Sequence, residues 1–532
     1  MKLRHVIALV FVLTISKTYA QQSWTTPPLQ WEQNYGGTAN DRANDVIPTS
    51  DGGFIAVGNS MSDDVDLTNN FGLNDVWVVK TDGNGQVQWQ RNYGGDDEDF
   101  GLSIAQTFDG GYIIGATTFS NNNNVSGNNG FSDFWVLKID SVGVIEWSKV
   151  YGGSLLESLF QVKQLRDSSY VAVGSTDSND GDVSGNHGES DYWVVRLNLA
   201  GDTIWTQCYG GLKTDVCRDI SQLVNGNFVL AGYSNSNDGD LTSNNGGYDY
   251  WVLRIDHNFK NIIWQYNYGG SYDDRAYSLT LNSALGYLVI GSSYSNDINV
   301  SGHSGSVGPT GNADVWALKL TNLGIIDWEN SLGGLADDFA FDAVQLADSS
   351  YTIAGYTSSL LANTSPNNGL TDYWLINVNR FGNRQWGMVY GGSKADFCFA
   401  IDTLSSFTYI IGGGSFSNDS VVGGNYGGSD YWLLRLDSAK NTTALPDVSA
   451  DGNQLTIYPN PLRTQSTISI KTNHTDKQLL NIYNNIGQII KSIDVTGVTS
   501  LDIHRNNFQA GVYHYTLGYE NKILTRGKFV VE

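Results

Sequence analysis

Fourteen of the fifteen tryptophans in this 532-residue chain fall on two repeating motifs. The pattern Trp-x-x-x-Tyr-Gly-Gly places its Trp at 31, 89, 147, 205, 264, 328 and 386, with Leu332 replacing the Tyr in one copy. The pattern Asp-x-Trp, followed by apolar residues, supplies Trp77, Trp135, Trp193, Trp251, Trp316, Trp374 and Trp432. The period is mostly 58 residues. Self-similarity at a fixed period of this size restricts the chain to repeat architectures, in which each unit buries its faces against its neighbours.

Each period holds four strand-like segments, which in the second copy fall at about 101–107, 111–118, 133–139 and 144–151. They are short and rich in Val, Ile, Tyr and Trp, and clusters of Gly, Asn and Asp bound them. Asp82-Gly83-Asn84-Gly85 and Asp140-Ser141-Val142-Gly143 have the composition of hairpin connections. Runs such as Val76-Trp77-Val78-Val79 are apolar at consecutive positions, as a sheet covered on both faces requires. These features predict an all-β fold, a seven-bladed β-propeller of four-stranded blades over 21–436. A linear solenoid of strands is the competing architecture. The phase of the repeat favours closure. The array opens on a Trp-Tyr-Gly-Gly strand at 29–35 and ends on an Asp-x-Trp strand at 430–436, so the first segment completes the last blade and no open edge remains.

Two further modules flank the repeats. Residues 1–20 have the form of a signal peptide, with Lys2 and Arg4, an apolar run from Val6 to Ile15, and Thr18-Tyr19-Ala20 before the cut. No other stretch is long and apolar enough to span a bilayer. After a polar linker at 437–452, composition changes. Of the net charge of −24, residues 1–20 and 453–532 each carry +3, which leaves −30 on 21–452. So acidic a body excludes phosphate-backbone binding and hence nucleic acid as a partner. The tail alternates polar and apolar residues, as in Thr467-Ile468-Ser469-Ile470, which predicts a small β-sandwich over 453–532.

The tail also carries Tyr458-Pro459-Asn460-Pro461, a central segment ending in Gly487, Gly511-Val512-Tyr513, and a terminal Lys528-Phe529-Val530-Val531. In these motifs, together with the leader, the chain resembles substrates of type IX secretion with a type A C-terminal sorting domain, and its propeller is similar to repeats found upstream of such domains. The resemblance implies recognition of the tail by the type IX secretion machinery, export from a Gram-negative cell, and proteolytic removal of the tail. The body is then attached to surface lipopolysaccharide or released.

Candidate chemistry is sparse. No zinc-hydrolase or serine-hydrolase motif occurs, and His187, His257 and His303 read as surface loop residues. Cys217 and Cys398 occupy the same repeat position in non-adjacent blades, too far apart to bridge, and read as small core residues, while Cys208 falls on an outer strand, so no disulfide is expected. Acidic residues recur in two columns. Asp41, Asp99, Glu157, Asp215, Asp274, Asp338 and Asp396 stand four residues past each Gly-Gly. Asp75, Asp133, Asp191, Asp249, Asp314, Asp372 and Asp430 open each Asp-x-Trp strand. A residue needed once per blade reads as structural, bonding amides at a turn; catalysis needs unlike groups that converge. No catalytic residue is nominated.

Asymmetry between repeats lies in the loops between second and third strands. Six of the seven carry Ser followed by two Asp or Asn, while blade five is enlarged and blade six has Leu360-Leu361. The face they share with the Gly-Gly connectors is therefore acidic and variable, and is expected to hold the ligand. Asp63, Asp64, Asp66, Asp180, Asp182, Asp238, Asp240 and Asp297 are the candidate ligands there, either for a hard cation, calcium foremost, or for a glycan or protein directly. The function expected is non-catalytic binding or scaffolding at the cell surface. An enzyme acting on polysaccharide through loop carboxylates is the alternative.

Overall fold

The computed structural model describes residues 26–67, 69–282, 286–362, 365–405, 408–437, 454–458, 461–471, 477–484, 489–509, 511–519 and 522–531. The leader, nearly all of the linker, and Pro459, Asn460 and Gly487 of the sorting motif lie outside the described residues. The chain divides into two compact units, with the division between Ser438 and Ala439.

The first unit contains seven four-stranded antiparallel sheets. The second is Asp99–Gln106, Tyr112–Thr118, Asp133–Ile139 and Ile145–Tyr151 in sequence order. Its first strand starts two residues before the sequence-based boundary, because the column carboxylate itself opens the strand by holding the preceding turn. In each sheet the two middle strands are almost wholly buried at consecutive positions, as in Phe54–Ser60 and Asp75–Thr81, whereas the outermost strand is mostly half-buried, as in Ile145–Tyr151. The repeat Trp side chains of the third strands are the largest buried groups, each at most 2% exposed.

The first strand of each sheet packs against the first strand of the next, and Asp396–Ser405 of the seventh packs against Asp41–Pro48 of the first, so the sheets form a closed ring around an axis. This is a β-propeller. The seventh sheet takes its outer strand from the chain start, with Leu29–Tyr35 pairing antiparallel to Asp430–Asp437 and Tyr35 opposite Tyr431.

Adjacent blades are stapled by the repeat aromatics. Indole N–H groups of outer strands donate to carbonyls in the next blade's hairpin, Trp31 to Gly83 at 3.2 Å and Trp147 to Leu199 at 3.0 Å. Tyr35 and Tyr93 donate likewise to Gly85 and Gly143, both at 2.6 Å. These buried hydroxyls need an acceptor, and the next blade provides it.

The second unit has a three-stranded and a four-stranded sheet. They share a core that includes Leu462, Ile468, Leu480, Ile482, Leu517 and Phe529, the sandwich that the alternating pattern predicts.

Candidate functional site

The repeated carboxylates organise one face. Each first-column acid accepts the N–H of the second glycine of its Gly-Gly, for example Gly37 to Asp41 at 2.8 Å and Gly211 to Asp215 at 2.7 Å. Asp41 also accepts from the hydroxyls of Ser60 and Ser62, and Asp99 from those of Thr118 and Ser120. Each second-column acid accepts an N–H from the loop before it, as Asn129 to Asp133 at 2.8 Å. The two columns meet at the first glycine. A Cβ on Gly94 would lie 2.0 Å from Asp75 and 3.0 Å from Asp99, so glycine is required there by close approach. Burial pushes Asp75 up to about 7 and Asp99 up to about 6, and the Asp99 charge raises Asp75 further. Both columns are therefore structural.

Seven of the eight candidate loop carboxylates are also engaged in this turn. Asp64 accepts from the Thr38 amide at 2.8 Å and Asp66 from Gly36 at 3.1 Å. Asp180 and Asp182 hold Ser154 and Gly152, Asp238 and Asp240 hold Leu212 and Gly210, and Asp297 holds Ser271. Asp63 is exposed. Among the described residues no group of three or more His, Cys, Asp or Glu is gathered as a metal site.

Two sequence-based readings are corrected here. His303 is not a surface histidine. Its side chain is fully buried in the enlarged loop of blade five, with Nδ1 3.6 Å from Asp314. Burial lowers its pKa. His187 does reach solvent and lies 2.6 Å from Asp191, while His257 is exposed. The three cysteines are buried free thiols.

The second correction concerns asymmetry, which is not confined to the loops. Every first strand shifts register at its fourth residue, between Ala43 and Asp45 in blade one and at the equivalent step in the other six. Such a bulge adds one residue and re-aims a side chain. The residues so placed are Asn44, Leu102, Phe160, Arg218, Tyr277, Phe341 and Phe399, and all seven line one cavity of about 320 Å³ on the propeller axis. One position per blade, filled by five different residue types over the seven blades, is the convergence that a functional site needs.

The collar is in mutual contact over most of its circumference. The Arg218 guanidinium lies 3.9 Å from the Phe160 ring centre and 5.1 Å from that of Tyr277. Tyr277 and Phe341 are 4.9 Å apart and Phe341 and Phe399 5.2 Å, and Arg42 sits 4.9 Å over Phe399. Below the collar, Asp45, Asp219 and Asp342 also line the cavity, but they tie each first strand to the next blade that follows. Asp45 accepts from the Ile104 amide at 2.9 Å, Asp219 from Leu279 at 2.9 Å and Asp342 from Ile401 at 3.0 Å. Burial raises Asp45 to about 6 and Asp342 to about 8. The arrangement offers flat apolar surfaces and cationic groups on the axis, with the Ser278 hydroxyl donating to Asp342 at 3.1 Å.

In the tail, Tyr458 ends the strand Gln454–Tyr458 and is exposed, and Pro461 is half-buried. Gly511 opens the strand Gly511–Tyr519. Tyr513 packs between Phe508 and Phe529, with centroids at 5.1 and 5.5 Å. Lys528 pairs in register with His514.

Residues 456–532 match the family described as the secretion system C-terminal sorting domain. A search of the curated proteins found no match. Solved structures similar to the chain include a protein of unknown function from Bacteroides caccae, at 10% identity and TM-score 0.33, over 54% of this chain and 81% of that one. The Pan2 WD40 domain of Neurospora crassa has 10% identity and TM-score 0.38 over 76% and 90% of the two chains. The endosialidase of phage phi92 has 10% identity and TM-score 0.37 over 94% and 87%. Among the described residues no helix is long and apolar enough to cross a membrane.

Proposed function

We propose that this type IX secretion substrate, which its sorting domain directs to the outer surface of a Bacteroidetes-type Gram-negative cell, acts there as a non-catalytic binding module with its ligand seated in the axial collar. The observation that carries the reading is the collar itself. Seven bulges, one per blade, deliver aromatic, cationic and amide side chains to a single cavity. This moves the binding site from the loop carboxylates to the axis. The loop acids are engaged in holding the Gly-Gly turns. The face remains the route of entry.

The enzymatic alternative draws on the raised carboxyls of Asp45 and Asp342. A general acid needs an oxygen free to reach the substrate. Asp342 gives one oxygen to Ile401 and the other to the Ala343 amide at 2.8 Å and the Ser278 hydroxyl at 3.1 Å, which favours binding without turnover. The test is the full chain on a glycan array, with release of reducing sugar measured in parallel. Binding that is lost in Phe341→Ala and Phe399→Ala, without sugar release, is the expected result. Binding indifferent to both substitutions would place the ligand elsewhere, and sugar release would overturn the non-catalytic reading.

A further inference from the structure

Resting on that reading of the collar, we infer that its ligand is an acidic sugar, a hexuronate-type residue whose ring face packs on Tyr277, Phe341 and Phe399 while its carboxylate is held by Arg218, with Arg42 adding positive charge from across the cavity. The body carries −30, yet these two arginines stand at its axis without an ion-pair partner among the described residues. The acid nearest in sequence, Asp219, is committed elsewhere. Its carboxylate takes Lys163 at 2.7 Å and the amides of Ile220 and Leu279. Arg218 lines the cavity, and its side chain has no hydrogen-bond or ion-pair partner among the described residues. An unpaired cationic donor on a cavity wall favours an acceptor that arrives with the ligand.

Geometry narrows the class of that acceptor. With the Phe160 and Tyr277 ring centres at 3.9 and 5.1 Å, the Arg218 guanidinium is flanked by two rings, and its N–H groups are what it has left to offer a ligand. A planar fork matches a carboxylate in bidentate fashion. The three rings from Tyr277 to Phe399 form a continuous apolar arc, suited to the C–H face of a pyranose. Asn44, Gln161 and Ser278 also line the cavity and supply neutral groups for sugar hydroxyls. At about 320 Å³ the space is at the small end of ligand sites, which commonly run ~300–1,000 Å³, and it fits a single sugar residue. A bare carboxylate would leave the arc unused, and a neutral sugar would leave Arg218 unpaired.

The decisive measurement is isothermal titration of the full chain with glucuronate and galacturonate, set against glucose, galactose and acetate. We expect at least one uronate to bind ten times or more tighter than its neutral counterpart and than acetate. Arg218→Gln should reduce the uronate preference tenfold or more, and Arg42→Gln, which also gives up the contact over Phe399, should reduce it in the same direction. Melting curves of both variants separate loss of binding from loss of fold. Equal binding of uronate and neutral sugar, unchanged in Arg42→Gln, would overturn the acidic-sugar assignment and leave the collar as a site. Acetate binding as well as uronate would reduce the ligand to a simple anion. If no sugar binds, and the array ligands bind without regard to Phe341 and Phe399, the collar reading falls as well.

Discussion

The Tyr431 hydroxyl donates a 2.8 Å hydrogen bond to the main-chain carbonyl of Trp77, and their rings lie 4.5 Å apart, although 354 residues separate them in sequence. The same contact joins Tyr192 to Trp251 at 2.9 Å and Tyr373 to Trp432 at 2.9 Å. The last and first blades are thus held as neighbours within the array are. Tyr431→Phe and Tyr192→Phe should therefore lower stability by similar amounts, about 1 kcal/mol each, in unfolding of the full chain. A silent Tyr431→Phe beside a costly Tyr192→Phe would mean that the ring opens before the blades unfold.

Gly94→Ala should be far more damaging than a substitution in an ordinary surface turn. The added methyl would fall 2.0 Å from the Asp75 carboxylate, which is itself fully buried and cannot withdraw into solvent. Overpacking a rigid site typically costs about 1–3 kcal/mol, and here an ionisable group must also be displaced. Melting temperature and soluble yield of Gly94→Ala are the measurements. Pairing it with Asp75→Ala should restore part of the loss, because the colliding oxygen is then gone. Two independent and additive losses would place the strain elsewhere.

What could be read from the sequence follows from how local each signal is. The blade strands were legible because runs such as Val76-Trp77-Val78-Val79 are buried on both faces. Closure was legible from the phase of the repeat alone. The two acid columns were legible as structural because each blade has both. The loop acids were ambiguous, since a turn that caps amides and a cation loop share Asp, Asn and Gly. The collar was missed for a definite reason. In a strand the residues facing one side recur every second position, but Ala43 and Val46 face the same neighbour three positions apart, as do Cys217 and Ile220. That odd spacing, present in all seven first strands, marks the bulge and could have identified Asn44, Phe160 and Arg218 as axial.

The tail and the propeller are separate compact units, so loss of the tail would leave every blade intact. Intact mass spectrometry of the extracellular protein should fit a chain that starts near Gln21 and ends within or near 437–452. Persistence of the whole tail on the surface form would rule out cleavage as the last step of export.

Stability should fall as pH rises from 5 to 8. Asp75, Asp249, Asp274 and Asp430 are each raised to about 7, and Asp99 to about 6, chiefly by burial. An unfolded carboxyl titrates near ~4, so between ~4 and 7 the folded chain holds protons that the unfolded chain releases. The stability linked to these groups is fully present below the unfolded value and is lost as pH passes through the folded one. At fixed ionic strength the melting temperature should be higher at pH 5 than at pH 8. Far below pH 4 the trend reverses, because exposed caps such as Asp64, Asp82 and Asp140 have lowered values and lose their bonds on protonation. Relief of the overall negative charge would also favour pH 5, so the control is a pair of variants. Asp75→Asn and Asp63→Asn each remove one carboxyl, but only the first removes a buried proton site. Asp75→Asn should reduce the difference between pH 5 and pH 8, and Asp63→Asn should leave it nearly intact. Equal effects from the two would assign the pH dependence to net charge rather than to the carboxylate pairs.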